Sequence, residues 1–306
     1  MVNLMVEVLT ITAPVMVLAG IGFGWVRLGL AYDVAFVTRL AMSLAIPALI
    51  FVSLMRTEVD PDILADTALA ALMAYVVVAL VAWGLLRVAG LDMRTFLAPV
   101  TFGNTGNLGL PLALFAFGAT GLDYAVVVFA VMTMLSFTFG VWHVSGHGSP
   151  LTAFREPMVW ATFLGGVCLT MGWQTPQWAT NTLELIGQMG IPLMLMTLGV
   201  AISRLSPSGV GRAVVLSLAK LMVCVAVAVS AGTLMGLPQV AVAVLTLQVA
   251  TPVAVTNYML AEKYGADASE VAGLVVISTL MAVLSIPVLL SLKSGNLSST
   301  SAQSTD

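Results

Sequence analysis

Polar, helix-breaking residues interrupt apolar sequence at Gly103–Pro111, "GNTGNLGLP". Asn104, Thr105 and Asn107 carry amide and hydroxyl groups that can bind a carboxylate or cap the ends of a broken helix. Gly103, Gly106 and Gly109 admit unusual backbone or close helix approach, and Pro111 shapes the break. A second set lies in "QVATPVAVTNY": Gln248, Thr251, Thr256 and Asn257 around Pro252. Hydroxyls in membrane helices also commonly bond their own backbone, so a structural reading stands beside the ligand reading. Lys220 lies eight residues past Arg212, about 12 Å along a helix. That depth is close to the middle of a hydrocarbon core about 30 Å thick, where a lysine either meets a substrate's charge or snorkels to the interface.

These groups suit reversible binding of a small anion, not bond-making. There is no Walker A sequence, nucleophile elbow or HExxH. His143 and His147 have the i, i+4 spacing of a chelate, but Gly146 and Gly148 favour a loop. Cys168 and Cys224 sit in apolar runs without ligand-like neighbours, so neither a disulfide nor a metal is expected. No catalytic residue, metal or cofactor is expected.

The elements that hold these residues follow from composition. Of 306 residues, 60% are hydrophobic and 8% charged, against roughly 25% charged in a soluble domain. Lipid must be the solvent. The net charge of −3 argues against nucleic acid. Apolar runs predict an all-α polytopic membrane protein with ten transmembrane helices, near 7–29, 33–54, 64–89, 93–117, 121–143, 156–173, 181–203, 210–235, 238–262 and 268–292. The first run lacks a basic region before it, so no cleaved signal is expected. The Ser/Thr-rich stretch 293–306 is expected to be a disordered tail.

Arg27, Arg39, Arg87, Arg94, Arg155, Arg204, Arg212 and Lys263 fall at the odd-numbered connections, and only Arg56 and Lys293 at the even ones and termini. This bias predicts odd connections in the cytoplasm and both termini outside, in the cell (inner) membrane. Five spans per half with opposite orientation is an inverted repeat, 7–145 and 154–292. Three patterns support it. "FGATGLDY" from Phe117 matches "YGADASEV" from Tyr264, in a register pairing Asn104 with Thr251. "AIPALIFVSL" around Pro47 matches "GIPLMLMTLG" around Pro192. The polar interruptions fall in corresponding spans 4 and 9, the best sequence pointer to a transport site. No carboxylate is seen in the middle of spans 4, 5, 9 or 10, which argues against a proton antiporter built on paired acids. Glu7 and Glu184 read as interfacial, and Gly20–Gly24 reads as a helix-packing spacing.

The order and spacing of "GNTGNLGLP", "IPLMLMTLG", "ATPVAVTNYMLAEKYG" and "STLMAVLSIPVLL" resemble the auxin efflux carrier family of membrane permeases, including bacterial malate/malonate-type members. The resemblance implies a crossover fold of the bile-acid symporter and sodium–proton antiporter type, with discontinuous helices 4 and 9. It implies a moving domain of spans 3–5 and 8–10, and a scaffold of spans 1, 2, 6 and 7 that often forms a homodimer. The substrates it implies are small organic anions, carboxylates. The chain departs from the plant exporters in its short middle connection, "HVSGHGSPLTAFRE", and in Gly103 before Asn104. The expected function is a secondary carrier moving small organic anions by alternating access. The rivals are a sodium-coupled symporter of the bile-acid type and a non-transporting membrane sensor. The coupling ion, proton or sodium, stays open.

Overall fold

The computed structural model describes residues 2–145, 157–204 and 209–301, with side chains described for residues 13–286 within those limits. Among the described residues every regular element is helical, and the single β contact is an isolated antiparallel bridge between Gly103 and Val253. The helices are α1 (Val2–Arg27), α2 (Val34–Leu40), α3 (Ile46–Arg56), α4 (Pro61–Val88), α5 (Met93–Thr101), α6 (Leu110–Leu135), α7 (Val141–Ser145), α8 (Pro157–Met171), α9 (Gln177–Gln188), α10 (Gly190–Arg204), α11 (Val210–Leu234), α12 (Gln239–Val249), α13 (Val255–Tyr264) and α14 (Ala268–Ser301). Wider π turns at Ala41–Ala45, Thr105–Gly109 and Ser136–Gly140 join neighbouring helices into longer runs. Among the described residues six runs are long and apolar enough to cross a bilayer: 34–56, 61–88, 105–145, 177–204, 210–234 and 268–286. The protein is all-helical, and these runs make it polytopic.

The local reasons for these elements are conventional. Asp33, Asp60 and Asp92 cap α2, α4 and α5 by accepting backbone N–H groups, and Asp267 accepts the N–H of Glu270. Four of the fourteen Asp and Glu residues thus serve helix starts among the described residues. Pro47 and Pro111 each follow a π turn at the start of a helix. Proline has no N–H to give and its ring crowds the preceding turn, which favours such widening. Pro192 stands in the first turn of α10. Gly118 interrupts the run 105–145 with φ 67° and ψ −157°, a conformation essentially restricted to glycine. Gly265, its counterpart in the register above, also has positive φ and ends α13.

The tertiary packing pairs α1 with α10, and α3 with α8 and α9. A separate set of contacts joins α4, α6, α11, α12 and α14. The α1–α10 seam corrects one expectation. Gly20 and Gly24 face open space, whereas a Cβ on Gly22 would lie 2.0 Å from the Met196 carbonyl oxygen, and one on Gly199 1.8 Å from that of Ala19. The close approach runs through Gly22 and Gly199. Replacing either by valine is expected to destabilise the protein by about 1–3 kcal/mol through overpacking. Thermal unfolding of the detergent-purified variants checks this. Gly20→Ala serves as the neutral control, and equal midpoints for all three would refute the seam.

Candidate functional site

The two interruptions meet. α5 ends at Thr101, Phe102 turns extended, and helix resumes at Thr105; α12 ends at Val249 and α13 resumes at Val255. Each break leaves backbone groups that hydrocarbon cannot satisfy. They are satisfied largely by one another. The Asn104 N–H donates to the Pro252 carbonyl at 2.7 Å, and Gly103 pairs with Val253. Asn257 Nδ2 donates to the Phe102 carbonyl at 3.1 Å, and the Val253 N–H to Ser278 Oγ at 2.9 Å. Pro252 helps stop α12, because the residue before a proline is pushed out of helical geometry. Gly103 permits the contact: a Cβ there would lie 2.2 Å from Thr251 Oγ1.

Beside this crossing lies a cavity of about 550 Å³. Gly103, Asn104, Gly106 and Asn107 line it from the first break, and Val255, Thr256 and Asn257 from the second. These residues stand at or next to the N-termini of two resuming helices, whose free N–H groups and dipoles favour an anion. Asn104 is 4% exposed, and its Nδ2 has no hydrogen-bond partner among the described residues. A buried amide donor without a partner is rare and costly. Phe129, Met132 and Met158 supply apolar wall, with Glu262 and Lys263 also on the lining. The arrangement can hold a small molecule with an anionic head and a short apolar body.

The structure thus brings Gly103, Asn104, Gly106, Asn107, Thr256 and Asn257 to one cavity and leaves other predicted residues outside it. Thr105 is fully buried, away from the lining, with an unpartnered hydroxyl. The Gln248 side chain turns to α6, where Nε2 donates to the Ala125 carbonyl at 3.5 Å. A Cβ on Gly109 would lie 2.0 Å from Gln248 Oε1, so Gly109 provides room for that contact. Thr251 Oγ1 donates to the Gln248 carbonyl at 2.6 Å and finishes α12. Lys220 is buried but lines a separate space of about 20 Å³ with Ser217, Thr251 and Pro252. Its Nζ lies 3.8 Å from Cys224 Sγ, so it neither snorkels nor reaches the large cavity. His143 Nε2 bonds the Met93 carbonyl at 3.1 Å, and His147 lies outside the described residues. Among the described residues no cluster of three His, Cys, Asp or Glu could hold a metal.

A second cavity, about 420 Å³, lies between the C-terminal half of α3, the residues of α6 just after Gly118, and α9. Ser53, Arg56, Thr57, Asp123, Glu184 and Gln188 line it. Arg56 and Glu184 form an ion pair there. Ser53 Oγ donates to Asp123 Oδ1. Asp123 is not among the residues singled out from sequence, where it lies inside the "FGATGLDY" match. The available signal was Gly118: helix resumes directly after it, which carries Asp123 beyond the first turn.

A polytopic helical protein with two helix interruptions crossing beside an amide-lined cavity has the construction of a membrane transporter. Residues 7–150 and 141–290 match the family described as "Membrane transport protein", and the chain belongs to it, the auxin efflux carrier family that its motifs resemble. An "Uncharacterized transporter" of Methanothermobacter thermautotrophicus is 27% identical over 268 residues, covering 83% of this chain and 87% of that protein. A "Putative malonate transporter" of Rhizobium meliloti is 26% identical over 294 residues, covering 89% and 87%. The protein is an integral membrane transporter, not an enzyme.

Proposed function

We propose that the chain is a secondary carrier that moves small organic anions, carboxylates, by alternating access. The observation that carries this reading is the meeting of two helix N-termini at one cavity beside the unpartnered amide of Asn104. Fixed N–H groups stabilise a carboxylate without adding a permanent charge that would trap it. A relative named for malonate favours a short dicarboxylate. In this reading ten spans form two inverted five-helix repeats, 7–145 and 154–292, crossing at discontinuous spans 4 and 9. The family match falls in two stretches with similar bounds, and Gly118 and Gly265 end corresponding segments at positive φ, which supports the repeat. Helices α1, α3, α8, α9 and α10 would form a scaffold, the site of a homodimer contact, and the set around α4, α6, α11, α12 and α14 would move. The Lys/Arg bias supports an inner-membrane orientation with both termini outside.

The test is uptake by proteoliposomes of mono- and dicarboxylates, malonate included, with and without sodium and proton gradients. Saturable flux of at least one carboxylate is expected. Stimulation by a sodium gradient would select the symporter form. Binding without flux of any anion in either direction would replace the carrier by a sensor.

A further inference from the structure

The helical run formed by α6 and the π turn Ser136–Gly140 turns one side towards the first break. Phe129, Thr133, Ser136 and Gly140 share that side, the last three standing 4, 7 and 11 residues past the first. The two outer members touch the break. A Cβ on Gly106 would lie 3.0 Å from the Phe129 ring, and one on Gly140 3.1 Å from the Phe102 ring. Between these contacts Thr133 and Ser136 line the large cavity. Thr133 is only 3% exposed, yet neither hydroxyl makes a hydrogen bond among the described residues. Elsewhere in the bundle helical threonines satisfy themselves: Thr67, Thr162, Thr197 and Thr246 donate to the carbonyl four residues back. Thr133 forgoes that bond. Thr101 and Thr105 are also buried without partners, but neither lines this cavity.

We propose that Thr133, helped by Ser136, binds the far carboxylate of a short dicarboxylate whose near carboxylate meets the amides of the break. The proposal rests on reading this cavity as the carrier's binding site. Thr133 stands one turn past Phe129, about 6 Å along α6 from the ring that touches Gly106. A three- or four-carbon diacid fits that separation, with a hydrogen bond of about 3 Å at each end. Both hydroxyls can donate to the far carboxylate, and bonds to an ionised acceptor are roughly twice as strong as neutral ones. The charged side chains on the lining, Glu262 and Lys263, are neighbours of opposite sign and exposed near the end of α13. Discrimination at the far end therefore falls to the hydroxyls. A monocarboxylate of the same length puts a methyl group there and leaves both unpaired. A site built to hydrogen-bond its substrate rejects such an analogue strongly.

Isothermal titration of the detergent-purified protein with malonate, succinate and propionate tests this without recourse to flux. The parent is expected to bind at least one of the two diacids about tenfold or more tighter than propionate, the factor for one hydrogen bond to a charged group. Thr133→Val keeps the side chain's shape and removes only its hydroxyl. Its affinity for the preferred diacid should fall about tenfold, and that for propionate by less than about twofold. Thr133→Ser returns the hydroxyl and should return the preference, which a merely structural role would not predict. A parent that binds neither diacid, or binds them no better than propionate, overturns the proposal. So does a Thr133→Val variant that keeps the preference. Should Thr133→Val not fold, Ser136→Ala is expected to lower the preference about threefold, and an unchanged preference overturns the proposal. Carboxylate flux with no diacid preference in binding sinks the far subsite alone. A diacid preference that Thr133→Val removes, in a protein that moves no anion, sinks the carrier reading alone.

Discussion

Asn104→Ala is expected to lower carboxylate flux by about 10- to 100-fold, the range for losing one hydrogen bond to a charged group. The substitution removes the amide whose Nδ2 is buried without a partner at the cavity wall. It spares the fold for a definite reason. The contact that ties residue 104 to the other break is its backbone N–H to the Pro252 carbonyl, which alanine keeps. Membrane insertion and thermal midpoint should therefore stay near those of the parent. Asn104→Asp tests the sign of the site, because a carboxylate at that wall repels an anion and should lower flux further. Normal uptake by Asn104→Ala at subsaturating substrate would remove Asn104 from the binding site.

Gly103→Ala is expected to damage the crossing itself. Its Cβ would stand 2.2 Å from Thr251 Oγ1 and 2.8 Å from the Thr251 carbonyl oxygen. Neither distance is tolerable for a carbon atom, and the second involves backbone that cannot rotate away. Overpacking of this kind costs about 1–3 kcal/mol. Here it also forces apart Gly103 and Val253, so flux should fall together with the thermal midpoint, unlike in Asn104→Ala. Adding Thr251→Ala removes the hydroxyl contact and leaves the carbonyl contact, so it should restore part of the lost stability. A double-mutant cycle reads this as a coupling between the two positions. Additive effects would mean that the two breaks do not touch as described.

Much of this was legible from residue types because a helix break is a local property. Glycine and proline raise the cost of helix wherever they stand, and "GNTGNLGLP" and the residues around Pro252 carry that cost on their own. Capping by Asp33, Asp60 and Asp92 is local in the same way, acting over about three residues. Side-chain direction is not local. Asn104 and Thr105 are neighbours, yet Asn104 reaches the cavity and Thr105 does not. Gln248 and Thr251 also flank a break, and here the Gln248 amide turns to α6 while the Thr251 hydroxyl finishes α12. The glycine seam moved from Gly20 and Gly24 to Gly22 and Gly199 because only the approach of α10 decides which face of α1 must be bare.

The sequence by itself determined the class of solvent, the places where helices must break and the residue types at each break. Those follow from transfer free energies and backbone chemistry, which each residue carries with it. The tertiary structure decided which polar groups share a cavity, that Lys220 lies away from the large cavity while Asp123 is tied across a second one, and that the crossing is made by Gly103 with Val253 and Asn104 with Pro252. Those depend on how helices far apart in the chain approach one another, and no local preference records that distance.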